Sequence, residues 1–129
     1  MDLRAPMVTL LVDEVGPSLA FYRDVLGFAE AYRTSLVDPV HVELELAGVR
    51  LALSARAAGE ADHGLALPPG PPQAVVVLWC HDAGEAYDEL VEAGAPSVSP
   101  PHDAGPNRVA FVSDPAGHLL QLVSRIDAA

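Results

Sequence analysis

The residues best suited to chemistry are an imidazole and two carboxylates that alternate along one predicted strand. In the run HVELELAG, at 41–48, His41, Glu43 and Glu45 point to one face, whereas the intervening valine and leucines point to the other. Arg50, on the next predicted strand, belongs to the same polar face. Such a face can bind a cation, transfer a proton or, through all three residues, hold a metal ion. Carboxylates on a sheet are more often solvated or ion-paired, and we expect Arg50 to pair with one glutamate and leave the other for a cationic group.

A second set of candidates follows from strand parity, which places further residues on the same side of the sheet as the glutamates. Trp79, the only tryptophan, suits stacking on a planar ligand, although filling the core is an equal alternative. Tyr32 and Phe111 are weaker candidates, because the register of their strands is uncertain. The remaining members of this face are Met7, Thr9, Ala52, Ser54, Val75, Val77, Leu119 and Gln121.

Composition excludes or disfavours several classes of function. The net charge is −11, with seven arginines and no lysine, so nucleic acid is not expected as a partner, whereas a cationic small molecule would be attracted. The single cysteine, Cys80, excludes an intrachain disulfide, and neither a G-x-S-x-G elbow nor a glycine-rich phosphate loop is present. Neither a signal peptide nor a membrane-spanning run is recognisable, so we expect a cytoplasmic protein without membrane contact.

The elements that must position these residues form a pattern that occurs twice along the chain. The predicted elements are a strand at 7–12, a helix from Pro17 to Gly27, strands at 28–35, 41–48, 49–54 and 74–80, a helix at 82–93, a short strand within 96–107, and strands at 108–114 and 118–125. Residues 57–73, rich in alanine, glycine and proline, lack periodicity. We predict an α+β fold of two tandem βαβββ repeats, at 1–56 and 74–129, joined by a linker at 57–73.

Two motifs at opposite ends of this pattern resemble a single superfamily. FYRDVLGF, in the first helix, and DPAGHLLQLV, near the C-terminus, resemble the vicinal oxygen chelate superfamily, which includes glyoxalases, extradiol dioxygenases and the fosfomycin- and bleomycin-resistance proteins. The resemblance implies that the two repeats form one compact domain, a curled mixed sheet shaped as a cup with the helices outside. It also implies a homodimer that completes the cup.

The resemblance further implies where a metal would bind, namely on the first and last strands of each repeat. The corresponding residues are Met7, Ala52, Val75 and Gln121. Three of these side chains cannot bind a hard divalent cation, and the amide of Gln121 supplies one neutral oxygen. We therefore expect no metal and no other cofactor at these positions.

DPAGHLLQLV is particularly similar to the last strand of bleomycin-resistance proteins. This similarity implies a metal-free small-molecule binding protein that sequesters a bulky aromatic or cationic natural-product antibiotic and so confers self-resistance. One alternative is an enzyme of the glyoxalase type, a lyase, isomerase or dioxygenase-like protein that uses a shifted metal site or acid–base chemistry by His41, Glu43 or Glu45. Another is a scaffold whose cleft binds no ligand.

Overall fold

The computed structural model describes residues 1–2, 4–64 and 74–126, and the chain divides into two compact units, Met1–Gly70 and Pro71–Ala129. The strands of the first unit are β1 (Val8–Val12), β2 (Ala29–Arg33), β3 (His41–Leu46) and β4 (Val49–Ala55). Its helices are α1 (Val15–Leu19), which continues as a π-helical turn over Ala20–Val25, and α2 (Arg56–His63). The second unit contains β5 (Val75–Trp79), α3 (Ala83–Glu92), β6 (Ser97–Ala104), β7 (Asn107–Ser113) and β8 (Leu119–Arg125).

Each unit holds a four-stranded mixed sheet with the same topology. The strand order is β1-β4-β3-β2 in the first unit and β5-β8-β7-β6 in the second. In both sheets the first strand pairs in parallel with the last, and the other neighbours are antiparallel. The predicted α+β fold with two tandem βαβββ repeats is thereby confirmed.

Alternation along β3 and β4 determines which face of the first sheet is buried. Val42 and Leu44 on β3 pair with Leu53 and Leu51 on β4, and all four side chains are buried. α1 packs against these two strands and buries Leu19 with them. The residues between these apolar positions consequently lie on the opposite face of the sheet.

The first helix departs from the predicted spacing. The sequence predicts that Val25 shares the buried face of Leu19 and Tyr22, but Val25 is 40% exposed and Phe21 is buried instead. The cause is the π-helical turn, in which the N–H of Leu26 donates to the carbonyl of Phe21, five residues earlier, at 3.0 Å. A π-helical turn rotates each residue by less than an α-helical turn does, and this moves Val25 away from the core.

Two segments have more regular structure than the sequence predicts. α2 occupies the first part of the predicted linker, and residues 65–73 of that linker lie outside the described residues. β6 runs through a proline-rich segment that the sequence predicts to be mainly loop. It accommodates Pro100 and Pro101 because it is an outer strand with an irregular register, where a missing N–H need not interrupt the ladder.

Three helix ends follow the signals in the sequence, whereas α1 begins at Val15, two residues before the predicted Pro17. Asp82 caps α3, because its Oδ1 accepts hydrogen bonds from the N–H groups of Gly84 at 2.9 Å and Glu85 at 3.1 Å. Gly27 and Gly94 end the helical segments of the two repeats with φ angles of 87° and 105°, in the region that favours glycine. Across the described ranges, none of the helices is long and apolar enough to cross a membrane.

Candidate functional site

The face of the first sheet that turns away from α1 carries the polar residues that the alternation predicts for it. The residues that meet there, in register across β1, β4 and β3, are Thr9 with Ala52, Ala52 with Glu43, Ser54 with His41, and Arg50 with Glu45. The sheet register therefore brings an imidazole, a hydroxyl and two carboxylates onto adjacent positions of two paired strands.

Ser54, His41 and Glu43 form a hydrogen-bonded triplet on this face. Ser54 Oγ lies 2.6 Å from His41 Nδ1, and His41 Nε2 lies 3.0 Å from Glu43 Oε2. An ionised carboxylate can only accept, so Nε2 of His41 carries the hydrogen of that bond. In the neutral imidazole, Nδ1 then has a lone pair and accepts the hydroxyl hydrogen of Ser54. The triplet thus has a defined direction of hydrogen bonding, from Ser54 through His41 to Glu43.

Arg50 contacts both glutamates, which differs from the predicted pairing with one of them. Its Nη1 donates to Glu43 Oε1 and its Nη2 to Glu45 Oε2, each at 3.3 Å. The planar fork of the guanidinium permits this because its donors point to different acceptors. The predicted pairing of Arg50 with only one glutamate is therefore wrong, and a role of this face in binding a cationic group stays a prediction. The two carboxylates still differ, because Glu43 also bonds His41 and its side chain is 20% exposed, against 46% for Glu45.

A pocket of about 520 Å³ opens beside the triplet, within the first unit. Its volume lies in the range of small-molecule sites, roughly 300–1,000 Å³. The sheet contributes Thr9, His41 and Ser54 to the lining, and α2 contributes Ala58, Asp62 and His63. The pocket combines aliphatic surface with a few hydroxyl, imidazole and carboxylate groups, which is the usual composition of a ligand site.

Sequence reasoning finds only part of this pocket. Strand parity predicts Thr9, His41 and Ser54 on this face, although it does not single out Ser54 as a site residue, and the side chains of α2 are not predicted at all. The missed signal is the stretch ARAAGEADH at 55–63, whose alanines favour a helix although it adjoins a segment rich in proline and glycine. The predicted residues Glu43, Glu45, Arg50 and Ala52 share the sheet face but do not line the pocket.

Tyr32 lies on the same side of the first sheet. It pairs with Glu43 across β2 and β3, and its ring centroid is 6.3 Å from that of His41. The side chain is mostly exposed. The sequence leaves the register of β2 uncertain. In the structure this register places the accessible ring of Tyr32 next to the triplet.

The candidates from the second repeat lie on one face of the second sheet. Val75, Val77 and Trp79 alternate along β5, and Trp79 is 62% exposed. The alternative of a core role for Trp79 is therefore wrong. The cross-strand pairs on this face are Val75 with Leu119, Val77 with Gln121, and Phe111 with Gln121, which also establishes the register of Phe111.

The positions where the resemblance implies metal ligands lack suitable donors. These positions are Met7, Ala52, Val75 and Gln121. In the sheets the parallel-strand partner of Ala52 is Thr9 and that of Gln121 is Val77, so the strand register adds one hydroxyl to the set. Zinc, iron and manganese sites need several converging nitrogen, sulfur or carboxylate donors. These residues do not fit such a metal, and the described part of the chain contains no cluster of three or more His, Cys, Asp or Glu side chains that could hold one.

Comparison with known proteins identifies a family and supports the fold. The model of the Glyoxalase/Bleomycin resistance protein/Dioxygenase superfamily matches residues 4–122. No curated protein matches the chain.

Several solved structures are similar over nearly the whole chain. A glyoxalase/bleomycin resistance protein/dioxygenase from Nocardioides is 22% identical, with 99% of this chain and 89% of that chain covered and a TM-score of 0.77. TioX from Micromonospora sp. ML1 is 21% identical, with coverage of 95% and 100% and a TM-score of 0.76. A superfamily member from Sphaerobacter thermophilus DSM 20745 is 25% identical, with coverage of 96% and 98% and a TM-score of 0.71.

Proposed function

Because the chain belongs to the glyoxalase/bleomycin resistance protein/dioxygenase superfamily, we propose that it is a metal-free binding protein that sequesters a bulky aromatic or cationic natural-product antibiotic. The observation that carries this proposal is the pocket of about 520 Å³ between the first sheet and α2. Sequestration protects a cell without breaking a bond, provided that dissociation is slow and the protein is abundant.

The chemistry of the pocket and its surroundings supports this class of ligand. Asp62 places a carboxylate in the lining, and a net charge of −11 attracts cations from solution. Tyr32, beside the triplet in the same unit, is an exposed aromatic ring on which a planar group can stack. A ligand with a positive charge and an aromatic system would use both features.

The donor set at the family's metal positions supports binding over metal-dependent catalysis. A methyl group at Ala52, an isopropyl group at Val75 and a thioether at Met7 provide no ligand that a hard cation prefers. The lyases, isomerases and dioxygenases that the resemblance offers as an alternative would need those donors, or a replacement for them elsewhere.

Thermal-shift screening with cationic and aromatic antibiotics, with and without divalent metals, tests the proposal. A ligand at one hundred times its dissociation constant should stabilise the fold by about 2.7 kcal/mol, with or without metal. Ala58→Phe should abolish this shift because it fills the pocket, whereas Ala57→Phe, on the exposed side of the same helix, should keep it. A shift that requires metal, or that survives Ala58→Phe, would contradict a metal-free ligand site at this pocket.

A further inference from the structure

We propose that the Ser54–His41–Glu43 triplet also acts as a nucleophilic relay, which accepts the acyl group of a carboxylic ester bound in the pocket. Ser54 is the nucleophile, His41 the general base and Glu43 the residue that positions His41. This activity goes beyond ligand binding and does not depend on the antibiotic class proposed above.

The hydrogen-bond directions in the triplet are those that a serine nucleophile needs. Glu43 fixes the hydrogen on His41 Nε2, which leaves Nδ1 to accept the hydroxyl hydrogen of Ser54 at 2.6 Å. A nucleophile within hydrogen-bond reach of a base, with that base oriented by a carboxylate, activates serine on unrelated folds. In the known triad the serine bonds Nε2 and the carboxylate bonds Nδ1, whereas here the two imidazole nitrogens exchange these roles. The three roles are assigned from geometry alone. No sequence motif accompanies them.

Arg50 holds the carboxylate end of the triplet in place. It donates to Glu43 Oε1 at 3.3 Å, whereas His41 uses the other oxygen, Oε2. Both oxygens of Glu43 are therefore occupied, which restricts rotation of the carboxylate away from the imidazole. Arg50 is thus a second positioning residue, one step further from the nucleophile.

The position of Ser54 gives a bound ester access to the hydroxyl. Ser54 and His41 both line the pocket. Ser54 is the penultimate residue of β4, and α2 begins two residues later, so the nucleophile stands at a strand-to-helix junction. The N–H of Ala55 donates to the carbonyl of Val40 at 2.8 Å and is engaged in that bond.

The first turn of α2 can stabilise negative charge beside Ser54. Ala55, at the N-cap, makes no side-chain cap hydrogen bond, and Ala58 of the same turn lines the pocket. Backbone N–H groups at a helix start carry partial positive charge and can donate to an oxyanion. The assignment of the relay rests on the triplet, and the start of α2 only adds to it.

The reaction balances with water as the only co-reactant. Ser54 Oγ attacks the ester carbonyl carbon, its proton passes to His41 Nδ1, and the carbonyl becomes a tetrahedral oxyanion. This adduct collapses, the bond to the alcohol oxygen breaks, and the alcohol leaves with the proton from His41. Water then attacks the acyl-serine and gives a proton to His41, which returns it to Ser54 as the carboxylic acid is released.

The test uses p-nitrophenyl butyrate with the full-length protein. The wild-type protein should release a burst of p-nitrophenolate that approaches one equivalent per chain, and a peptide map by mass spectrometry should place the butyryl adduct on Ser54. Ser54→Ala should abolish the burst, and His41→Gln should slow it by about 10²–10⁴-fold, the usual contribution of a general base. Glu43→Gln should lower the maximal burst rate and leave the half-saturating ester concentration unchanged, as expected for a residue that positions the base.

A matched control exists on the second sheet. Ser99 Oγ lies 3.5 Å from His102 Nδ1, but that nitrogen is 2.8 Å from the carbonyl of Pro100, so this serine has no equivalent relay. Ser99→Ala should keep the full burst.

Absence of the burst and the adduct in the wild type, an adduct on another residue, or a full burst in folded Ser54→Ala would overturn the proposal. The peptide map of the wild-type protein decides the matter even where a variant fails to fold. Antibiotic-induced stabilisation, measured on the same samples, is a separate readout, so the binding proposal and the relay can fail independently.

Discussion

His41 and Ser54 face each other across the β3–β4 ladder, and the 2.6 Å between Nδ1 and Oγ links the two strands through their side chains as well as their backbones. Glu43 and Arg50 extend this link toward the turn of the hairpin. The polar face of the first sheet is therefore held by connected side-chain hydrogen bonds.

The two glutamates of this network should respond unequally to substitution. Glu43→Gln should lower the free energy of unfolding by about 1 kcal/mol, because Glu43 bonds both His41 and Arg50 and is partly shielded from water. Glu45→Gln should change it by less than about 0.5 kcal/mol, because its pair with Arg50 is half exposed. Urea unfolding of both variants measures the difference, and equal effects would contradict this hydrogen-bond network.

The π-helical turn leads us to expect unequal effects on stability at Tyr22 and Val25. Tyr22→Ala should lower the free energy of unfolding by about 3–5 kcal/mol, because the ring is fully buried and contacts the rings of Phe21 and Phe28. Val25→Ala, three residues further on, should cost no more than about 0.5 kcal/mol. Denaturant unfolding provides the comparison. A large effect at Val25 would show that the helix keeps α-helical spacing in solution.

The cap of α3 can be tested by removing one carboxylate. Asp82→Ala should destabilise the protein by about 1 kcal/mol, because the first-turn N–H groups of Gly84 and Glu85 lose their acceptor. Asp88→Ala, on the exposed side of the same helix, is the matched control and should be neutral within about 0.5 kcal/mol. Thermal melts of the two variants should separate them clearly, and coincident melts would contradict the capping role.

Cys80 should react slowly, in a pH-dependent way. Burial raises the pKa of the Cys80 thiol above its ordinary value, so less thiolate is present at any pH below that pKa. Iodoacetamide should therefore alkylate Cys80 more slowly in the folded protein than in urea at pH 8. The alkylation rate in urea divided by the rate in the folded protein should fall toward one as the pH rises, because the thiol of the folded protein then ionises as well. Equal rates at pH 8 would contradict the shift.

We propose that the protein is a homodimer. Each sheet ends in two outer strands, β1 and β2 or β5 and β6, and outer strands are prone to pair with other chains unless they are covered. Light scattering at micromolar concentration should give twice the chain mass of 13.5 kDa. A mass near that of one chain would contradict the proposal.

Much of the fold is predictable because burial in a sheet repeats every two residues. Val42 and Leu44 alternate with His41 and Glu43 in the sequence, and the structure buries the first pair and leaves the second on the open face. The exposure of Val25 is not predictable in this way. The prediction assumes α-helical spacing, and the spacing of apolar residues does not reveal a π-helical turn.

The site is less predictable than the fold, because its geometry depends on side-chain conformations and on one unrecognised helix. Arg50 bridges two glutamates through its rotamer, which alternation does not specify. Ser54 occupies the predicted face, yet a serine there gains significance only once its distance to His41 is known. Asp62 and His63 reach the pocket only because α2 forms where composition suggests a linker.

The pocket lining has a consequence for how ligand preference can change. The described residues that line it all lie from Thr9 to His63, within the first unit, although the sheet topology of that unit is present twice. After a duplication, such a division lets one copy diversify while the other preserves the architecture. Ligand choice is then inherited as one contiguous block of sequence, so exchanging that block between homologues by recombination would transfer specificity in a single event.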